Sequence, residues 1–243
     1  MKLIISSILI LLFVAGHAQQ SNPLVVDESQ TDASFMAFKA QLHIAVQKKD
    51  IELLLPLLAD SVRESSNNPC QYCPKQYFVQ MVCVPNKQRP NDAYFWQQTE
   101  LLLKYGFKKG DEQNPSYIVN YVHANQYFTA PAFTIVFDDY DTLLVLEETV
   151  KVYNAPTAQD SAISTISYGK YATVNTSERR GSQYDFWVYN ADEDANWAHI
   201  ALPNGKTGYV LVEKTSVALY KEMTVAKING QWKIVSFYHP PGC

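Results

Sequence analysis

The side chains in this 243-residue chain best equipped for chemistry are its four cysteines, Cys70, Cys73, Cys83 and Cys243. Three of them cluster, and Cys70-Gln-Tyr-Cys73 has the spacing of a redox dithiol. Pro74 can open a helix and place Cys73 at its N-terminus, where a thiol pKa falls. The same spacing supplies half of a zinc site. No strand-helix-strand pattern surrounds the pair, and no second paired-ligand motif completes a metal set. Cys83 and the distant histidines remain loose candidates. An even count in an oxidising compartment points instead to structural disulfides, at least one of them within Cys70 to Cys83, with Cys243 able to reach back to the same cluster. Three pairings are possible, and spacing does not choose among them.

His43, His123, His199 and His239 are scattered, and none sits in a paired-ligand spacing on a helix face. They read as packed or surface residues. Neither a Gly-x-Ser-x-Gly elbow nor a His-Glu-x-x-His motif is present. Two acidic clusters, Asp138-Asp139-Tyr140-Asp141 and Asp192-Glu193-Asp194, offer oxygen ligands to calcium but lack the glycine-containing spacing of a dedicated loop, so they read as solvated turns. Tyr184, Trp187 and Tyr189 alternate with Phe186. Alternation divides such residues between the two faces of a strand. One face packs; the other is free to stack on sugar rings or grip an apolar peptide, unless all four fill a local core. Trp197 and Trp232 have apolar strand neighbours and read as core. Asn175-Thr176-Ser177 fits a glycosylation sequon.

Elements must position these residues. Met1-Lys2, the apolar run Leu3 to Val14 and the small residues Ala15, Gly16 and Ala18 form a secretory signal peptide with cleavage expected after Ala18. No cysteine at that exit offers a lipid anchor. The run is short of the ~20 residues a membrane span needs. Losing Lys2 takes the formal charge from -4 to -5. A mildly acidic chain without a basic block excludes nucleic acid and anionic membrane surfaces as partners. The expectation is an exported protein, periplasmic or extracellular.

After a linker at 19–30, Thr31 or Asp32 caps a helix in which Phe35, Phe38, Leu42 and Ala45 follow helical spacing, ending near Lys48-Lys49-Asp50. A second helical piece runs from Ile51 to Leu58, interrupted at Pro56. Lys75 to Val82 follows the cysteine loop as a short helix. Pro90-Asn91-Asp92 starts another helix, with Phe95, Leu101, Leu102 and Tyr105 apolar and Gly106 as the stop. Tyr117 to Val122 and Phe133 to Phe137 read as short strands or irregular packing segments. From Leu143 the period becomes that of short strands. Asn204-Gly205 and Asn229-Gly230 are hairpin dipeptides that favour type I′ turns. The second joins Met223–Ile228 to Gln231–Phe237.

The β segment resembles the bacterial SH3-like domains of exported proteins. The residues that carry the likeness are Leu146 to Pro156, Ile163 to Gly169, Trp197 to Ile200 and, most specifically, Asn204-Gly-Lys-Thr-Gly208-Tyr209-Val210. Asn154-Ala-Pro156 stands where that family carries Arg-x-x-Pro, and the stretch from Thr176 to Asn196 is an addition. More weakly, the whole chain resembles exported bacterial proteins that join a helical domain to such a module. The resemblance implies a five- to six-strand barrel-like sheet that recognises cell-wall peptide or another extended ligand.

The expected fold is therefore α+β: a mostly helical domain at 31–142, a small SH3-like β-barrel at 143–215 and a C-terminal β-hairpin extension at 216–243. The expected function is non-catalytic binding at the cell envelope of peptidoglycan peptide, a glycan or a protein partner, with no cofactor and no metal. Tyr153, Asn154, Tyr168, Trp187 and Tyr209 form the expected groove. A thiol-redox or hydrolytic enzyme with its site in the helical half is the competing class, and an inhibitory or structural partner protein the third. Mass spectrometry of the envelope fraction is expected to find a mature N-terminus at Gln19; an intact Met1 terminus there contradicts export by this route.

Overall fold

The computed structural model describes residues 25–64, 72–84, 94–111, 113, 117–132, 142–175, 187–216 and 221–238. The signal peptide, Cys70, Cys243, Pro90-Asn91-Asp92, Phe133 to Phe137, the Asp138 cluster, Tyr184, Phe186, His239 and the Thr176-Ser177 end of the sequon lie outside them. Helix α1, Ala33–Lys48, begins as its sequence dictates: the Asp32 carboxylate accepts from the Phe35 N–H at 2.9 Å, satisfying one of the orphan donors of the first turn. It ends at Lys49, which adopts the left-handed conformation (φ 51°). Helix α2, Ile51–Leu54, is capped by Asp50 and stops early. Pro56 lies in a 3-10 turn at Leu55–Leu57, and Leu58 already opens strand β1, Leu58–Arg63.

The first half is not mostly helical, contrary to the sequence expectation. Alongside α3 (Lys75–Val82), α4 (Tyr94–Lys104) and α5 (Tyr117–Tyr121) it contributes β1, β2 (Tyr72–Pro74), β3 (Lys108–Lys109) and β4 (Tyr127–Ala130). These join β12 (Glu222–Ile228) and β13 (Gln231–Tyr238) in one six-stranded sheet of order β2-β1-β13-β12-β4-β3. The C-terminal hairpin is thus no extension of the β module. It is the centre of the first unit's sheet, where β13 runs parallel to β1 and antiparallel to β12. Its turn is the expected type I′, with Asn229 and Gly230 at φ 50° and 78°. Tyr117 to Tyr121, expected as strand, is helix. Long-range pairing decides these cases, and no local periodicity contains it.

One face of the sheet packs on α1, α3 and α4 over a core that includes Leu42, Val62, Phe78, Phe95, Met223, Ile234 and Phe237. Phe35 is its hub. Its ring stacks on Phe128 (3.8 Å between centroids, 15°) and meets Phe107 and Trp232 edge-on. A smaller cluster on the other face sets α5 against Ala59, Ala226 and Val235. Asp27 clasps the α4–β3 turn: its carboxylate accepts from the Ser29 and Phe107 N–H groups, each at 3.0 Å, and pairs with Lys39. Burial works against that charge, but Lys39 and the two backbone donors outweigh it and hold the carboxyl below its ordinary range. Gly106, at φ 71°, brings the backbone so close that a Cβ would lie 2.7 Å from Asp27.

Residues 142–216 form the second unit. It is not a closed barrel among the described residues. Strands β5 (Thr142–Val145) and β8 (Gly169–Ala172) pair, as do β6 (Val150–Val152) and β7 (Ser164–Ile166). A three-stranded sheet has the order β11 (Thr207–Leu211), β10 (Ala195–Ala201), β9 (Trp187–Asn190). Single bridges at Val145–Thr215, Tyr153–Tyr209 and Thr173–Ile200 link these small sheets. Three- and four-residue strands leave too few ladder bonds to close a continuous wall. Their shared core is Val145, Val152, Ile166, Ala198, Ile200 and Val210 with their neighbours. The Asn204-Gly205 turn departs from type I′, because only its glycine has positive φ (79°). Leu146 enters the first unit's core, and Glu147 accepts from Lys104 and Lys214 at 3.2 and 3.5 Å, tying the units together.

At one end of the six-stranded sheet, Glu64 and Lys221 form an ion pair at 3.1 Å with only 7% and 3% of their side chains exposed. Removing one charge takes this partner from the other while it stays buried. Glu64→Gln is therefore expected to cost about 3–5 kcal/mol, while replacing both residues by apolar ones of similar volume costs far less. Urea denaturation of the single and double variants checks this, and equal midpoints for Glu64→Gln and wild type contradict it.

Candidate functional site

Strand β10 places Ala198 and Ile200 in the module core, so Trp197 and His199 point to the opposite face. His199 is paired directly with Tyr209 on β11, and their rings stack at 4.4 Å and 8°. Tyr153 follows Val152, a core residue, and therefore also faces away from that core. It exchanges both backbone hydrogen bonds with Tyr209, at 2.9 and 2.8 Å, and its ring meets Trp197 edge-on at 5.4 Å. Four aromatic side chains from three segments thus share one face.

Gly208 permits this arrangement. A Cβ there would lie 2.4 Å from the Val152 side chain and 2.9 Å from the Tyr153 carbonyl oxygen. Any larger residue pushes β11 away from β6 and separates Tyr209 from Tyr153. The loop after Tyr153 is held by the β9–β10 turn. Asn190 Nδ2 donates to the Pro156 carbonyl at 2.8 Å, and Glu193 accepts from the Thr157 hydroxyl and the Ala158 N–H. The Asp192-Glu193-Asp194 cluster, read in sequence as a solvated turn, therefore holds this loop through its middle residue.

Trp197 is fully buried, yet its Nε1 has no hydrogen-bond partner among the described residues, and neither does the buried Nδ1 of His199. Burial depresses the His199 pKa, so the ring is neutral at neutral pH. The hydroxyls of Tyr153 and Tyr209 make no hydrogen bond among the described residues, and Asn154 is exposed beside them. The face offers the half-buried rings of His199 and Tyr209, with the Tyr hydroxyls and the exposed Asn154 amide beside them. It can hold a ligand by stacking and hydrogen bonding.

Of the five expected groove residues, the structure brings Tyr153, Asn154 and Tyr209 together. Trp187 pairs with Ala198 and packs against the module core, on the side opposite the aromatic face. Tyr168 lies half-buried between β7 and β8 and makes no ring contact among the described residues. Sequence reasoning missed His199 and assigned Trp197 to the core alone. The two-residue spacing of Trp197 and His199, with Tyr209 on the next strand, was the available signal. Tyr189 is 58% exposed and spends its hydroxyl on Asp194 at 2.7 Å.

The remaining chemical candidates are weaker. No disulfide joins Cys73 to Cys83; both are buried, and burial pushes the Cys83 thiol far above its ordinary pKa, which makes it a poor nucleophile. No three His, Cys, Asp or Glu side chains converge as a metal set among the described residues. A groove of about 640 Å³ lies between α1 and α4, lined by Met36, Ala40, His43, Glu100 and Leu103. Two further lining cations, Lys39 and Lys104, are committed to Asp27 and Glu147. Comparison with protein-family models, curated proteins and solved structures finds no match to this chain.

The unfolded chain takes up a proton on His199 near its ordinary value of 6.5, and the folded protein does so only at lower pH. Stability is therefore lost as pH falls below that value. The His199→Gln variant is expected to lose less stability than wild type between about pH 7 and about pH 5. Thermal unfolding across that window checks it; parallel pH dependences for the two proteins contradict it.

Proposed function

We propose that this is an exported, non-catalytic binding protein of the cell envelope. Its second unit holds an extended peptide, such as a peptidoglycan stem peptide or a segment of a protein partner, against the Tyr153–Trp197–His199–Tyr209 face. One observation carries the reading. The half-buried His199–Tyr209 stack lies beside Tyr153, which sits edge-on against the buried Trp197, and the Tyr153 and Tyr209 hydroxyls make no hydrogen bond among the described residues. Rings give apolar contact area at low entropic cost, and unused donors and acceptors beside them fix a ligand's polar backbone. Asn154 adds an amide that both donates and accepts. The resemblance to SH3-like modules of exported proteins supports the same ligand class, and the signal-like N-terminus supports the location.

Purified sacculi are expected to retain the full mature chain. Tyr209→Ala is expected to weaken that retention by about 2 kcal/mol, the scale of a central aromatic anchor. Trp187→Ala removes core packing instead, so it lowers stability and leaves the affinity of the folded fraction unchanged. Failure of wild-type protein to bind sacculi sinks the cell-wall ligand. Equal binding by a folded Tyr209→Ala variant sinks the aromatic face.

A further inference from the structure

Helix α1 carries two apolar stripes. The first, Phe35, Phe38, Leu42 and Ala45, is buried in the main core. The second runs through Met36, Ala40 and Ile44 at four-residue spacing, and all three are exposed, Met36 by 48% and Ile44 by 45%. A helix that packs on one side needs only one such stripe. Part of the second lies in a concavity. Met36 and Ala40 line the groove of about 640 Å³ between α1 and α4, and Leu103 is the apolar contribution of α4. That volume falls within the range of small-molecule sites, and exposed side chains on its walls can be reached from solvent.

The charged groups around the groove divide into two sets. Lys39 and Lys104 mark the end next to the Asp27 clasp, and both are neutralised. Lys39 pairs with Asp27 and donates to the Ser29 hydroxyl at 3.1 Å, and Lys104 pairs with Glu147 at 3.2 Å. One turn away from these lysines stand His43 on α1 and Glu100 on α4, and both line the same groove. Both are exposed, and neither makes an ion pair or hydrogen bond among the described residues. The charge left uncommitted on the walls is therefore the Glu100 carboxylate. An apolar floor with one free carboxylate complements a molecule that is apolar at one end and cationic at the other.

We propose that this groove binds a small organic cation, a primary ammonium on an aliphatic or aromatic body. The body lies on Met36, Ala40 and Leu103, where the unbranched methionine thioether adapts to its shape. The ammonium donates three hydrogen bonds and accepts none, so it meets the Glu100 carboxylate, and the unprotonated His43 imidazole offers a second acceptor. An anion with the same body meets no uncommitted lysine on these walls, because Asp27 and Glu147 already hold Lys39 and Lys104. The site belongs to the first unit, shares no residue with the aromatic face, and stands or falls independently of it.

Phenethylamine, titrated into the full mature chain by calorimetry at neutral pH, is the probe. Hydrocinnamate, the same body with the opposite charge, is the control. Saturable binding of the amine is expected, at least about tenfold tighter than the acid, which corresponds to about 1.4 kcal/mol. Glu100→Gln keeps an acceptor but loses the charge, and is expected to cost the amine a similar factor. Ala40→Trp fills the groove from an exposed helix position and is expected to abolish binding. Circular dichroism checks both folds. No saturable binding of the amine by wild type, or equal binding of amine and acid, overturns the proposal whether or not the variants fold. A folded Glu100→Gln or Ala40→Trp protein with unchanged affinity for the amine overturns it as well.

Discussion

The structure depends on where the last strand goes. β13 lies between β1 and β12, and its residues Trp232, Ile234 and, past an irregularity at Val235, Phe237 belong to the main core. Without it the sheet falls into a β2-β1 pair and a β12-β4-β3 remnant. The pairing of Leu58 with Ile234 closes a loop of 176 positions. Loop-closure entropy grows only slowly with length, so such a closure is tolerable in equilibrium while making assembly non-local. The β unit at 142–216 is an excursion within that closed loop. It returns the chain to the sheet through Lys221, whose buried pairing with Glu64 joins the strand ends on either side.

The candidate binding face and the polar face of the larger sheet both follow from sheet geometry. In the β unit, alternation sends Ala198, Ile200 and Val210 inward, which leaves Trp197, His199 and Tyr209 on the other side. Gly208 then decides whether β11 can approach Tyr153 closely enough to complete the aromatic set. In the first unit the same alternation puts Met223 and Phe237 into the core and leaves Glu222, Ser236 and Tyr238 behind them. The two faces differ in chemistry because one collects rings and the other collects charge and hydroxyls. Rings suit an extended chain.

Local signals were legible where local physics governs. The Asp32 cap, the apolar stripe of α1, the left-handed Gly106 and the Asn229-Gly230 turn all appear as read, since capping and positive φ are properties of one or two residues. The Asn204-Gly205 dipeptide correctly marked the turn between β10 and β11, though not its type, and the close approach at Gly208 emerges only from the packing of β11 on β6. Tyr153 and Tyr209 were legible as neighbours through the module pattern. For Trp187 the sequence left both a packed and a presented reading open, because its face depends on pairing β9 with β10 in one register; a shift of one residue would have turned it to the other side.

Caps and turn dipeptides by themselves determined the start of α1, its capping by Asp32 and the Asn229-Gly230 hairpin; the order they suggested, helices first and short strands after, fails because β1 to β4 lie in the first half. Tertiary structure alone decided that β1 and β4 join the C-terminal hairpin rather than extend a helical bundle. It alone turned His199 against Tyr209 and set the Arg63 guanidinium over the Tyr238 ring. The reason is range. Helical spacing and turn propensity act over a few residues, whereas strand partnership is settled by which distant apolar faces bury each other best, and the side chains opposite those faces are placed as a consequence.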